Sequence, residues 1–318
     1  MSDARRRIWS ELVPLPALAR SSALEALAAR GVQLLVAVWP GQEGDARRVV
    51  ARAAELELSV GLWPQLPDEE GRWLNPGNAA PFEAWTRRLL DAIPEPIDTL
   101  ALDLEPPIAE LRRLTEGRLG AARAWLRRPL DDAPHRRLVA AARARGLEVL
   151  AAVVPPVLLP GRAGRGWQRA LGSPLDAGYD AVSAMLYTTL FEGYGFGVVH
   201  RPDARALLDR FARDAARLGD RASVSLGAIG TGALGDERTY RDPAELADDV
   251  RIARAAGLRD LALFDLSGAL TRPPLERWLD AFLDPGPAAA APSTRRARAA
   301  LGLASVLGVA LDVHAGRG

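Results

Sequence analysis

Residues 242–266 read DPAELADDVRIARAAGLRDLALFDL, and this stretch holds one complete unit of a helix followed by a strand. Asp242-Pro243 is typical of a helix start, because Asp caps free backbone N–H groups and Pro fits the first helical position. We predict the helix over 242–256, ended by Gly257, which readily adopts the left-handed conformation found at helix ends. The apolar run 260–266 then predicts a buried strand.

The same alternation continues along the chain and gives eight strands. The other predicted strands are 8–13, 33–39, 59–63, 99–104, 148–153, 181–187 and 223–228. The other predicted helices are 21–30, 45–56, 81–92, 132–145, 202–218, 274–283 and a less regular one at 167–175. Eight such units with right-handed crossovers fit an α/β fold, the closed (β/α)8 TIM barrel. The competing doubly wound sheet usually has a Gly-rich loop after its first strand, where this chain has Pro14-Leu15-Pro16.

We predict three segments: a barrel at 1–284, a Pro/Ala linker at 285–294 and an apolar tail helix at 295–318. Within the barrel, the Arg-rich stretch 111–129 predicts a helical insertion over the mouth. The uncharged run 299–311 would form a helix of about 20 Å, shorter than the ~30 Å core of a bilayer. We therefore expect the tail to pack on the barrel or on a partner, with peripheral membrane contact as the alternative.

The composition excludes several kinds of chemistry. The 318 residues include no Cys and no Lys, and only three widely separated His. Schiff bases, thiolate nucleophiles and Cys-ligated metals are therefore excluded, and we expect no metal site and no organic cofactor. The 41 basic and 40 acidic residues are dispersed, which is not typical of nucleic-acid binding. The beginning of the chain has no signal-peptide pattern, so we expect a cytoplasmic protein of undetermined oligomeric state.

The fourth predicted strand carries the strongest functional pattern. Because alternate residues of a strand share a face, Ala101, Asp103 and Glu105 should point into the barrel and the intervening Leu residues outward. The two acids would then lie at the carboxyl end of a barrel strand, where barrel enzymes place their active sites. Two carboxylates this close repel each other, so the pair should hold a proton at neutral pH, as a general acid requires.

Residues 98–105 resemble the DGxDxDxE motif of family 18 glycoside hydrolases, the chitinases and endo-β-N-acetylglucosaminidases, which also lies on the fourth barrel strand. The resemblance implies that Glu105 is the general acid/base and that Asp103 positions the acetamido group of the substrate. Ala101 and Thr99 depart from the motif, which has Asp and Gly at these positions. The implied mechanism is substrate-assisted retention, in which the N-acetyl oxygen of the substrate is the nucleophile.

Ala184-Met185-Leu186-Tyr187 on the sixth strand resembles the MxY(D) motif of the same family, with Thr188 in place of Asp. The resemblance implies that Tyr187 binds the acetamido carbonyl. We predict further substrate contacts from residues at strand ends, namely Trp39, Trp63, Met185, Phe264 and Asp265. The loop at 191–197, Gly-spaced and aromatic, would form a wall of the cleft.

Other functions remain open at this point. A looser resemblance of the acid pair to family 25 muramidases allows a peptidoglycan substrate as well as a chitin-like one. The change at Ala101 allows a non-catalytic barrel that binds a glycan or a protein. The Gly-rich stretch 227–232 after the seventh strand allows a phosphate-binding barrel enzyme, although Asp236 and Glu237 follow it and would repel phosphate.

Overall fold

The structure, a computed structural model, describes residues 4–115, 130–195 and 197–315. Eight parallel strands follow one another in chain order and close into a barrel, since β1 pairs with both β2 and β8. The strands are β1 (Arg6–Ser10), β2 (Gln33–Val38), β3 (Val60–Pro64), β4 (Thr99–Leu104), β5 (Glu148–Val153), β6 (Ala181–Leu186), β7 (Ala222–Gly227) and β8 (Asp260–Phe264). The predicted (β/α)8 TIM barrel is confirmed.

Helices surround the barrel. They are α1 (Leu15–Leu18), α2 (Ala23–Ala28), α3 (Glu43–Glu55), α4 (Ala79–Ala92), α5 (Ile108–Thr115), α6 (Ala133–Arg143), α7 (Arg162–Leu171), α8 (Thr188–Gly193), α9 (Arg201–Ala216), α10 (Pro243–Ala255), α11 (Leu266–Thr271), α12 (Leu275–Leu283) and α13 (Arg295–Ala315). The predicted helix start at Asp242 is confirmed, because its carboxylate accepts the N–H of Glu245 at 3.1 Å. Gly257 has φ +91°, as its place after α10 requires.

Several boundaries differ from the prediction. The strand predicted at 8–13 is shifted to Arg6–Ser10, because the chain turns at 11–14 into the short helix α1. The strand predicted at 260–266 stops at Phe264, because the carboxylate of Asp265 accepts the N–H of Gly268 and starts α11. Part of the predicted cleft loop at 191–197 belongs to α8, and Phe196 lies outside the described residues. Of the predicted insertion at 111–129, residues 111–115 end α5, and 116–129 lie outside the described chain.

The alternation of β4 divides the barrel core into two layers. Leu100, Leu102 and Leu104 are fully buried in the layer between strands and helices. Ala101 lies in a separate buried cluster inside the barrel, together with Trp9 and Trp63. The two indoles meet edge to face with ring centroids 4.8 Å apart. Small strand residues inside the barrel therefore accommodate two large rings on its axis.

The lower end of the barrel is held by charges. Arg7 on β1 is 1% exposed, and its guanidinium contacts the carboxylates of Asp260 and Glu148 and the amide oxygen of Gln33. A buried arginine is tolerated only when it is paired in this way. These contacts join β1 to β2, β5 and β8 across the barrel.

The tail helix α13 is longer than the uncharged run predicted. It spans 21 residues, or roughly 31 Å at 1.5 Å per residue, so the estimate of about 20 Å was wrong. The helix begins before the uncharged run 299–311, at Arg295, and continues after it to Ala315. By length and composition, α13 is the one helix among the described residues that could cross a membrane. The preceding residues 285–294 belong to no helix or strand.

One face of α13 packs closely on α7. The indole N–H of Trp167 donates to the carbonyl of Ala304 at 2.8 Å. Asp312 accepts a hydrogen bond from Arg162 at 2.9 Å, with Arg165 and Arg169 each 3.7 Å away. The backbones also approach closely, since a Cβ added to Gly308 would lie 2.3 Å from the carbonyl oxygen of Ala163. This contact requires glycine.

We expect Gly308→Ala to weaken the docking of α13 and to lower the free energy of unfolding by about 1–3 kcal/mol, the usual cost of overpacking. Gly302→Ala is the matched control, because a Cβ there meets nothing within 4 Å. It should be neutral or stabilising by about 0.5–1 kcal/mol, as expected for Gly→Ala within a helix. Chemical denaturation and limited proteolysis of 285–294 measure both effects, and equal behaviour of the two variants would contradict this packing.

Candidate active site

A cavity of about 80 Å³ opens at the carboxyl ends of the strands. Its lining includes the rings of Trp9, Trp63, Trp73, Tyr187 and Phe264 and the carboxyl groups of Glu11, Asp103, Glu105 and Glu237. The cavity is therefore aromatic on its walls and acidic at its centre.

Asp103 and Glu105 form the central pair. Asp103 is on β4 and is 5% exposed, and Glu105 follows the end of β4 and is half-buried. The two carboxyl groups share a hydrogen bond that raises the pKa of Asp103 and lowers the pKa of Glu105, so Asp103 is the donor. Burial, with the nearby Glu105 and Glu11, raises the pKa of Asp103 well above its ordinary value. Burial is also the main cause that raises the pKa of Glu105, to about 7.

A third acid, Glu11, lies in the same cavity and was not predicted. It follows the last residue of β1, is 4% exposed, and has Oε1 3.6 Å from Nη2 of Arg72. Burial raises the pKa of Glu11 to about 8, and Asp265, Glu237 and Glu105 add to the rise. At neutral pH Glu11 therefore holds a proton.

Arg72 is the cation beside these acids. It lies in the loop after β3 and is 7% exposed, and it lowers the pKa of Glu11, Asp103 and Glu105. Its guanidinium lies over the rings of Trp39 and Trp73, 5.5 and 5.9 Å from their centroids, and donates to Asp68 at 3.1 Å. These contacts hold a positive charge close to three buried acids.

Tyr187 forms another part of the wall. It stacks on Phe264 with ring centroids 5.3 Å apart and an interplanar angle of 26°, and it hydrogen-bonds to Ser225. Burial, together with Asp103, Glu105 and Glu11, raises the pKa of Tyr187 well above its ordinary value. Its hydroxyl group therefore stays protonated among the three acids.

The structure brings most of the predicted site residues together, but not all of them. Glu105, Asp103, Tyr187, Trp63, Met185 and Phe264 all line the cavity. Trp39 and Asp265 do not line it. The guanidinium of Arg72 covers the ring of Trp39, and Asp265 is fully buried with its carboxylate bound to Ser267 and to the N–H of Gly268. Asp265 caps a helix, and so its carboxylate is already engaged.

Trp9 and Glu11 are the most informative omissions. The sequence places both on one strand at a spacing of two, which is the signal that puts them on one face. Trp9 both packs against Trp63 and lines the cavity. Its indole N–H donates to Ser225 at 3.0 Å, which fixes the ring.

The Gly-rich loop after β7 is engaged by acids. The carboxylate of Glu237 accepts the N–H groups of Leu234 and Gly235, both at 2.8 Å, and Asp265 accepts the N–H of Gly230. These N–H groups are already bound to carboxylates, which disfavours a phosphate site here. Over the ranges that the structure describes, no group of three or more His, Asp or Glu is arranged to hold a metal ion.

No family model matches the chain, and no curated protein matches it. Several solved structures have a similar fold. An L-ribulose 3-epimerase is 18% identical with a TM-score of 0.45, and the match covers 99% of this chain and 97% of that chain. A family GH18 chitinase from Cycas revoluta is 12% identical with a TM-score of 0.47, covering 89% and 99%. A class V chitinase from Nicotiana tobaccum is 11% identical with a TM-score of 0.46, covering 88% and 99%. At these identities the similarity shows the barrel fold alone.

The raised pKa of Glu11 makes stability depend on pH. The folded state keeps the proton up to about pH 8, whereas the unfolded chain releases it near the ordinary value of 4.5. The free energy of unfolding should therefore fall by about 1.4 kcal/mol for each unit by which pH rises within this window. Denaturation curves measured between roughly pH 5 and pH 9 cover this window. In Glu11→Gln the free energy of unfolding should depend less on pH. The exposed Glu69→Gln is the control; an unchanged slope in Glu11→Gln would show that Glu11 is not buried as an acid.

Proposed function

We propose that this protein is a glycoside hydrolase that cleaves an N-acetylhexosamine-containing glycan, chitin-like or peptidoglycan-like, by a substrate-assisted retaining mechanism. The observation that carries the proposal is the hydrogen-bonded pair Asp103–Glu105 at the carboxyl end of β4, inside an aromatic cavity. The raised pKa of Glu105, about 7, suits a residue that must donate a proton and later accept one.

In the proposed reaction, protonated Glu105 gives its proton to the glycosidic oxygen while the bond from that oxygen to the anomeric carbon breaks. The acetamido carbonyl oxygen of the substrate forms the new bond to the anomeric carbon. Water then attacks this carbon, gives a proton to Glu105 and restores the acetamido group. Asp103 and the hydroxyl of Tyr187 would hold the acetamido group in position for the attack.

The walls of the cavity suit a sugar. The rings of Trp63, Trp73 and Phe264 make much of the lining apolar, which suits the apolar faces of a pyranose ring. Three buried polar atoms of lining residues, Nε1 of Trp63, Nε1 of Trp73 and Oδ1 of Asp103, have no hydrogen-bond partner among the described residues.

A second candidate is a barrel that binds the same glycan without cleaving it. Ala101 favours this candidate, because it is fully buried where the family motif has an acid. The two candidates differ in one measurable property, since only the hydrolase yields shortened products.

Chitooligosaccharides and soluble peptidoglycan fragments should be incubated with wild type and with Glu105→Gln, and the products separated by chromatography. We expect wild type to shorten one of these substrates and Glu105→Gln to be slower by about 10²–10⁴-fold, as usual for loss of general acid–base catalysis. Glu69→Gln is the matched control. If hydrolysis survives in Glu105→Gln, Glu105 is not the general acid. If wild type binds a substrate without yielding products, the protein is the non-catalytic barrel.

The pH profile tests the role of Glu105 separately. Because its pKa is about 7, kcat/KM should fall as pH rises above 7 and Glu105 loses its proton. Arg72 lowers this pKa, so Arg72→Gln should move the falling limb to higher pH. Arg47→Gln, which removes an exposed arginine paired with Glu95, should leave the limb in place. If the falling limb does not move in Arg72→Gln, a group other than Glu105 causes it.

A further inference from the structure

The helix α13 presents an apolar face to solvent. Seven large hydrophobic side chains are exposed in the described parts of the chain, and four of them are on this helix. They are Leu303, Val306, Leu307 and Val309, of which Leu303 and Val306 are 62% and 68% exposed. A contiguous exposed apolar surface of this kind usually marks an interaction site.

The helix cannot hide this face by turning, because its other side is fixed. Gly308 lies against the backbone of α7, Trp167 bonds to Ala304, and Asp312 is surrounded by arginines of α7. At 100° per residue, Leu303 and Val306 are on the side opposite to these contacts, and Leu307 lies on the flank next to Leu303. The packing on α7 therefore directs the apolar residues outward.

Positive charge lies at one end of the same face. Arg295, Arg296 and Arg298 are exposed in the first turn of α13. The helical repeat places Arg295 on the outward side, in line with Val306, whereas Arg296 lies 3.8 Å from the carboxylate of Asp203 on α9. From 299 to 311 the helix has no charged residue, and its one acid, Asp312, is 8% exposed and already paired. On its outward side α13 thus combines an apolar stripe with Arg295 and contributes no carboxylate.

We infer that α13 docks the protein on the surface of an anionic phospholipid bilayer. Leu303, Val306 and Leu307 would enter the boundary between head groups and acyl chains, and the arginines would contact the phosphates. In a dimer formed through α13, the arginines of one copy would face a helix that contributes no carboxylate on that side. In a bilayer, lipid phosphates supply the opposite charge. A spanning helix would have to break the contacts of Asp312 and Gly308 with α7, so the helix lies along the surface.

The full-length protein should be tested by flotation with vesicles of phosphatidylcholine alone and of phosphatidylcholine mixed with phosphatidylglycerol. We expect binding to the mixed vesicles that weakens with added salt. The double variant Leu303→Asp, Val306→Asp should bind at least about tenfold more weakly, because it places charge in the apolar stripe. Arg295→Gln with Arg298→Gln should weaken binding to the mixed vesicles by about tenfold and leave the weak binding to phosphatidylcholine unchanged.

Val198→Asp is the matched control, because Val198 is 63% exposed and lies off the helix. It should bind like wild type. Circular dichroism and thermal unfolding show that each variant is folded, which is expected because all substituted side chains are exposed. If the wild-type protein does not float with the mixed vesicles, the inference is overturned. A dimer of wild type that the Leu303→Asp, Val306→Asp variant abolishes, without vesicle binding, overturns it in favour of self-association.

Discussion

The packing of two indoles on the barrel axis is the constraint on which the site depends. Trp9 and Trp63 fit inside because several strands contribute small side chains at this level, Ala101 among them. Both rings line the cavity, together with Glu11, Asp103 and Glu105. The same packing offers a reason for the departure from the family motif, since an acid at 101 would be placed in this apolar cluster without a partner.

The pKa values of the acids in the cavity follow from this apolar lining. Burial raises the pKa of each carboxyl group, Glu105 and Glu11 raise the pKa of Asp103 further, and Glu105 raises that of Glu11. Arg72 lowers the pKa of all three acids but is shared among them, and Glu11 still has a pKa of about 8. The hydrogen bond with Asp103 lowers the pKa of Glu105, which is about 7. The difference between the three acids is thus set by their neighbours, because their side chains are chemically alike.

Sequence patterns predicted the elements whose signals are local. The bounds of β4 and the inward direction of Ala101 and Asp103 were predicted correctly, because alternating Leu residues leave only one phase possible. The end of β1 was not, because apolar residues continue past Ser10 and hide the point where Glu11 leaves the strand. Asp265 was ambiguous for another reason, since an Asp after a strand can serve a ligand or cap the next helix. The proximity of Arg72 to the acids depends on the path of a loop, which no periodicity describes.

The tail helix shows the same difference between local and tertiary information. Its apolar character is evident from composition, but the direction of its exposed face depends on where a glycine allows close approach to α7. Gly308 and Asp312 together set the rotation of the helix, and this rotation turns Val306 outward. None of the residues that line the cavity belongs to α13. Contact of this face with a membrane would therefore leave the cavity lining unchanged, so the proposed chemistry at Glu105 and the proposed docking of α13 can be tested independently.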